Sequence, residues 1–242
     1  YGLGTPEGEP STFKWTSKMR EYSARFDFTH YLSAKHTLKY GATTMFHEFF
    51  PGTTGFGEEP NFSEFILPSE YAFEHSLYAS DEYKITEKLT VKYGLRFGMF
   101  QNVGSGTYYN FDANHVPVDS TVYAKGVLFN TYANLEPRFA FTYLLSPVSS
   151  VKGSYSHTAQ YITLAQNSTA GTPLDIWFPV TPNVKPQLCD QFALGYFRNL
   201  KNNMYEASAE IYYKDLRQVI DFRDHAQLLL NQYIEGELRI GT

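Results

Sequence analysis

The sequence predicts an all-β protein: an antiparallel up-and-down β-barrel that crosses a membrane. Three observations predict it. Apolar and polar residues alternate with a period of two in eight segments. Tight turns and long connections alternate along the chain. Tyrosines gather at both ends of the apolar face. No segment has helical periodicity, and no apolar run approaches the roughly 18 residues of a membrane-spanning helix.

The alternation is clearest in LTVKYGLRFGMF (89–100). There Leu89, Val91, Tyr93, Leu95, Phe97 and Met99 oppose Thr90, Lys92, Gly94, Arg96 and Gly98. In 22–31, Tyr22, Ala24, Phe26 and Phe28 oppose Ser23, Arg25, Asp27 and Thr29. In 37–48, Leu38, Tyr40, Ala42 and Phe46 oppose Lys39, Gly41, Thr43 and His47. In 70–83, Tyr71, Phe73, Leu77, Ala79 and Tyr83 oppose Glu70, Glu74, Ser76, Ser80 and Glu82. Segments 135–144, 151–161, 188–197 and 204–214 repeat the pattern, and the closing ELRIGT is read as the start of one more strand. The expected count is about 8–9 strands.

Four connections are tight: 32–36, 84–88, 145–150 and 198–203. Four are long and rich in Gly, Pro and Asn: 50–69, 102–131, 165–186 and 222–233. Strict alternation gives a sheet with two unlike ends, and no linker divides the chain into domains.

Composition narrows the function classes. The 242 residues are 43% hydrophobic, with 20 Tyr and 20 Phe, enough apolar surface for an ordered fold. A net charge of −5 without any Lys/Arg run argues against a nucleic-acid partner. The single cysteine, Cys189, excludes an internal disulfide and a cysteine-based zinc site.

Parity alone does not say which face is inside. A soluble β-sandwich or lipocalin turns the apolar face inward; a membrane barrel turns it toward lipid and lines a lumen with the polar face. Tyr83, Tyr143, Tyr196 and Tyr205 lie on the apolar face beside tight turns, and Tyr22, Tyr71 and Tyr161 lie nearer the long loops. Two such belts fit two bilayer interfaces. Short turns at one end and long loops at the other fit an outer-membrane barrel, whose short turns are periplasmic. Asp81, His75 and His157 also fall on the apolar face and run against this reading.

Several segments resemble TonB-dependent outer-membrane receptors. LYASDEYKITEKLTVKYGLRF (77–97) resembles a strand–turn–strand of that family. NLEPRFAFTYLLSPVSSVKGSYSHTAQY (134–161), NVKPQLCDQFALGYFRN (183–199) and EASAEIYYKDLRQVIDF (206–222) are similar to the hairpins that follow it. The style is that of Bacteroidetes receptors, including SusC-like relatives. The resemblance implies an internal part of a 22-stranded barrel, about two-fifths of it, with 1–242 lying wholly in the barrel domain. Neither a plug domain nor a TonB box is recognisable in these residues.

The resemblance further implies a Gram-negative outer-membrane, multi-pass transporter that imports a bulky nutrient such as a glycan, peptide, siderophore or cobalamin. Its partners would be the lipid bilayer, the TonB–ExbB–ExbD complex acting through the plug, and a SusD-like surface lipoprotein. A non-transporting adhesin or scaffold barrel and a soluble β-sandwich binding module are the alternatives.

No catalytic motif, cofactor motif or metal motif is present. Ser154, Ser156 and His157 share one strand, but adjacent residues face opposite sides and nothing orients a base. His47–Glu48 and Asp221–His225 are scattered pairs rather than ligand sets. Asn167-Ser168-Thr169 matches a glycosylation sequon that a bacterial outer membrane does not use in the usual way. Arg96, Glu136 and Arg138 share the polar face and are expected to face the lumen or plug, most simply as an ion-pair network. Tyr108, Tyr109, Phe111, Trp177 and Phe178 are expected to be exposed loop aromatics suited to contact a ligand; the alternative is that they pack on one another, as loop aromatics of outer-membrane proteins do.

Overall fold

The computed structural model describes residues 2–3, 11–56, 65–165, 176–223, 226 and 233–241. Eight long antiparallel strands follow one another across a single sheet. They are β1 (Ser11–Tyr31), β2 (His36–Phe56), β3 (Glu70–Lys84) and β4 (Leu89–Val103), followed by β5 (Leu128–Ser146), β6 (Ser149–Gln160), β7 (Gln187–Leu200) and β8 (Tyr205–Arg217). Every neighbour in the sheet is a neighbour in sequence, as in an up-and-down barrel. Gly2–Leu3 pairs with β1 and Phe65–Ile66 with β2. Among the described residues β1 and β8 do not pair, so the sheet is an open wall.

Local chemistry closes the tight end. The Ser33 hydroxyl accepts the backbone N–H groups of Lys35 and His36, and the Thr86 hydroxyl accepts those of Lys88 and Leu89. Such Ser/Thr turns reverse a chain within four residues. The β7–β8 turn places Lys201, Asn202 and Asn203 in the left-handed region (φ 47°, 53° and 66°), which asparagine tolerates better than most residues.

The strands outrun their alternating segments. β1 and β2 each have 21 residues, about twice the 9–11 that cross a bilayer, so both project beyond it. The long connections are also not bare loops. Gly106–Phe111 pairs with Pro117–Tyr123, Ile162–Ala165 with Ile176–Pro179, and Val219–Phe222 with Leu238–Gly241. The ELRIGT segment does form a strand: Leu238–Gly241 pairs with Val219–Phe222, which follows directly on β8. Away from lipid both faces are wet or covered by other loops, so the period of two that marks the membrane part no longer marks these ends.

Register puts one parity in a continuous apolar sheet. Phe28 lies across from Tyr40, Tyr40 from Ala79, Ala79 from Leu95, and Leu95 from Pro137. Farther along, Tyr93 lies across from Phe139, Phe139 from Tyr155, Tyr155 from Phe192, and Phe192 from Tyr213. Neighbours within the sheet touch, as Phe28 does Tyr40 and Tyr155 does Phe192, but among the described residues no second layer covers this face: Leu95 is 48% exposed, Phe139 45% and, on the same face, Ile211 72%. Burial occurs on the opposite parity, at the loop end. Phe49, Ala72 and Phe100 from β2, β3 and β4 are covered there by Tyr161 and Val180 of the β6–β7 connection. A second cluster, Val184, Ile220, Phe222, Ile234 and Leu238, holds the loop layer together.

Tyr161 corrects the belt expectation. It is 3% exposed and stacks on Phe100, 5.4 Å between ring centroids. β6 ends at Gln160, so strand parity does not carry over to Tyr161, which turns to the inner side. Tyr71 and Tyr83 keep their places on the apolar face, twelve residues apart on β3. At about 3.3 Å per residue and a tilt near 45°, that interval spans about 28 Å, close to the roughly 25 Å apolar band of outer-membrane barrels.

Candidate functional site

The polar face holds the charged residues expected there, in register. Arg96 on β4 lies across from Glu136 on β5, and Gly94 from Arg138. Glu136 is fully buried. Arg138 Nη2 donates to its Oε2 at 3.0 Å, and Arg96 Nη1 stands 3.5 Å from its Oε1. Arg96 also reaches Glu74 on β3 at 3.5 Å, and Glu74 lies 3.7 Å from His47. His47 is fully buried, with its Nδ1 2.9 Å from Glu21 on β1. The network thus crosses five strands, from Glu21 to Arg138. Glu74 and His47 were on the polar face by parity, but only register joins them to the arginines.

Gly98 explains how the carboxylate is enclosed. A Cβ at Gly98 would lie 3.1 Å from both Glu136 Oε1 and the Tyr161 hydroxyl. The missing side chain lets Tyr161 close over the network, where its hydroxyl accepts a bond from Asn134 Nδ2 at 3.0 Å. Asn102 Nδ2 donates to the Val180 carbonyl at 2.8 Å, and the Tyr132 hydroxyl donates to the Thr181 carbonyl at 2.9 Å. These bonds tie the β6–β7 connection to the inner face.

Three polar residues on the apolar face are each paired. Asp81 accepts from the Tyr93 hydroxyl at 2.9 Å and contacts His36 Nδ1 at 2.7 Å, beside the short turns. His75 bonds Thr44 at 2.9 Å. His157 meets Asp190 at 2.8 Å, and Asp190 also holds Tyr155 and Arg217. Pairing lowers the penalty of a polar group beside lipid. His157 therefore has a carboxylate partner but faces away from Ser154 and Ser156, and no hydrolytic triad forms. His47 and Glu48 face opposite sides, Glu48 pairing with Arg20 at 2.8 Å. His225 and the 167–169 sequon lie outside the described residues. No group of three or more metal-ligating side chains occurs among the described residues.

Above the wall, the loop layer encloses a cavity of about 160 Å³. Tyr108, Tyr109, Phe111 and Trp177 all line it, so four of the five expected loop aromatics converge. The side chain of Phe178 lies outside the described residues. Exposure is the correction: only Trp177 is exposed, at 41%. Tyr108 packs on Phe129 at 4.6 Å, Tyr109 meets Tyr233 edge-on at 4.8 Å, and all three of Tyr108, Tyr109 and Phe111 are half-buried. Large rings on a folded loop layer gain more by covering one another than by facing water.

Two carboxylates share this cavity, and composition gave no sign of them. Glu70 stands at the outer tip of β3, one residue beyond Tyr71 and outside the apolar band; Glu235 comes from the 3-10 turn Ile234–Glu237. Glu235 Oε2 accepts a bond from Asn183 Nδ2 at 2.6 Å. Glu70 Oε2 is closed off from solvent and has no hydrogen-bond partner. Burial, then repulsion from Glu235, pushes the Glu70 carboxyl up to about 8. Burial raises Glu235 too, although its bonds to Asn183 and Thr181 oppose the shift. Desolvation, then the two nearby carboxylates, raises the Tyr108 phenol.

An apolar face open to its surroundings, an opposite face of buried ion pairs, short turns at one end and a loop layer at the other define a membrane-barrel wall. The chain belongs to the outer membrane beta barrel domain family, whose model matches residues 9–212, and its place is the outer membrane. The wall is similar to three solved structures. The copper transporter OprC shares 13% identity at a TM-score of 0.58, over 88% of this chain and 32% of that one. The FrpB iron transporter from Neisseria meningitidis (F3-3 variant) shares 13% at 0.55, over 84% and 29%. The alcaligin outer membrane receptor FauA from Bordetella pertussis shares 10% at 0.53, over 90% and 32%. The chain thus spans about a third of the length of these structures. No curated protein sequence matches it.

Proposed function

We propose that residues 1–242 form part of the barrel wall of a TonB-dependent outer-membrane transporter that imports a bulky nutrient. The observation that carries this reading is the buried Glu136 held between Arg96 and Arg138 on the inner face. A charged network that crosses five strands suits the lining of a wet or plugged passage. In this reading Arg96, Glu136 and Arg138 face a plug domain, which no stretch of these residues resembles, and the loop layer is the first contact for nutrient. TonB–ExbB–ExbD would drive the plug from the inner membrane. The motif style favours a Bacteroidetes receptor of the SusC-like kind, with a SusD-like lipoprotein at the surface.

The test is uptake by cells carrying the complete receptor gene. Nutrient screens with the gene deleted should reveal at least one substrate whose uptake is lost. Removing TonB should abolish the same uptake. Normal uptake of every nutrient after deletion, or uptake indifferent to TonB, would overturn the reading.

A further inference from the structure

The cavity in the loop layer has a chemical character that the barrel wall does not. Its walls carry two carboxylates and no lysine, arginine or histidine among the described residues. Among the described residues no basic side chain lines the cavity to pair with Glu70 or Glu235, and Glu70 Oε2 is sealed off without a hydrogen bond. Two carboxylates in a site of low polarity cannot both be ionised unless positive charge joins them. The remaining surface is aromatic: Tyr108, Tyr109, Phe111 and Trp177 line it. Electron-rich rings attract a cation that has shed its water.

From this convergence we infer that the cavity is a binding site for an organic cation, an ammonium group carried on an apolar or flat body. The inference rests on the docking role proposed above for the outer loops and names the ligand class they select. A bare metal ion fits poorly. Two carboxylates leave a hard cation short of its usual six or more oxygens, and a softer metal lacks histidine or thiolate there. An anionic ligand would meet like charge. About 160 Å³ equals roughly five water molecules, so the cavity receives the charged head of a nutrient and leaves the rest outside. Trp177, the exposed ring, stands where such a body would emerge.

Protons compete for the same carboxylates. The groups facing the cavity that titrate are Glu70, Glu235, Tyr108, Tyr109 and Tyr233. Burial holds the Tyr108 phenol neutral, while the two acids gain charge as pH rises. Cation affinity therefore rises with pH until both acids are ionised.

The experiment uses the complete receptor in detergent micelles and benzyltrimethylammonium chloride, whose charge does not depend on pH. Sodium phenylmethanesulfonate is the anionic counterpart. Saturation-transfer NMR titration should show saturable binding of the cation alone. Affinity should rise about tenfold between about pH 5 and about pH 9. E70Q/E235Q, folded by heat-modifiable gel mobility, should lose tenfold or more. If the double variant does not fold, E70Q and the pH series on native receptor decide. Absent or non-saturable cation binding, equal binding of the sulfonate, a flat pH profile, or undiminished affinity in the folded variants would each overturn the inference. TonB-dependent uptake is measured separately, so transport can stand where the cation site fails.

Discussion

Arginine placed along the apolar parity of β4 should become more costly with depth. Val91 lies across from the belt residue Tyr83, at the short-turn edge of the apolar band. Leu95 is four residues farther, about 13 Å along the strand and about 9 Å deep at a 45° tilt. Phe97 is six residues farther, about 14 Å deep, near the middle of a band roughly 25 Å tall. Among the described residues no layer covers either side chain, at 48% and 38% exposure. Lipid must therefore solvate whatever replaces them. The expected cost is about 0–1 kcal/mol for Val91→Arg, about 2 for Leu95→Arg and about 2–4 for Phe97→Arg. Lys92→Ala, one residue from Val91 but on the inner parity, should stay within about 0.5 kcal/mol. The assay is urea-dependent unfolding of the complete receptor in lipid vesicles. Equal costs at the three depths, or a larger cost for Lys92→Ala than for Phe97→Arg, would refute the assignment of faces.

Three further outcomes follow from the inner face, the loop layer and the outer face. R96L/R138L leaves Glu136 buried without countercharge and should cost about 3–5 kcal/mol; adding E136Q should recover most of it, measured by the same unfolding assay. Glu70 has a raised carboxyl, so the folded loop layer binds more protons than the unfolded chain between about 4.5 and about 8. Its contribution to stability is then fully present below that window and is lost as pH rises through it; hydrogen-exchange protection of residues 106–111 should fall accordingly, and Glu70→Gln should flatten the slope. His36→Ala strands the Asp81 carboxylate beside lipid and should destabilise more than the H36A/D81A pair, a coupling of about 1 kcal/mol or more in a double-mutant cycle.

The membrane part of the fold was legible because lipid imposes a strict code. Every second residue between Tyr71 and Tyr83, or from Leu89 to Met99, faces hydrocarbon, so the pattern survives without knowledge of any neighbour. The four tight turns were legible for a related reason: two strands must reverse within a few residues, and Ser33, Thr86 and the Asn202–Asn203 pair do so by local bonds and local backbone angles. Asp81, His75 and His157 looked anomalous because their partners, His36, Thr44 and Asp190, sit on adjacent strands, where only register can bring them. Tyr161 was misplaced because it follows the last paired residue of its strand, and alternation says nothing past that point.

By itself, the sequence determined the strands, their up-and-down order, their two faces and the unlike ends, since each depends on spacing along the chain. Tertiary structure alone decided what meets above the wall. Glu70, Tyr108, Trp177 and Glu235 are spread over 166 positions of the sequence, and no periodicity links them. The loop layer folds to hide its aromatic surface, and that collapse carries two carboxylates into one cavity. The energy that drives it depends on area removed from water, a property of the packed loops and not of any local run of residues.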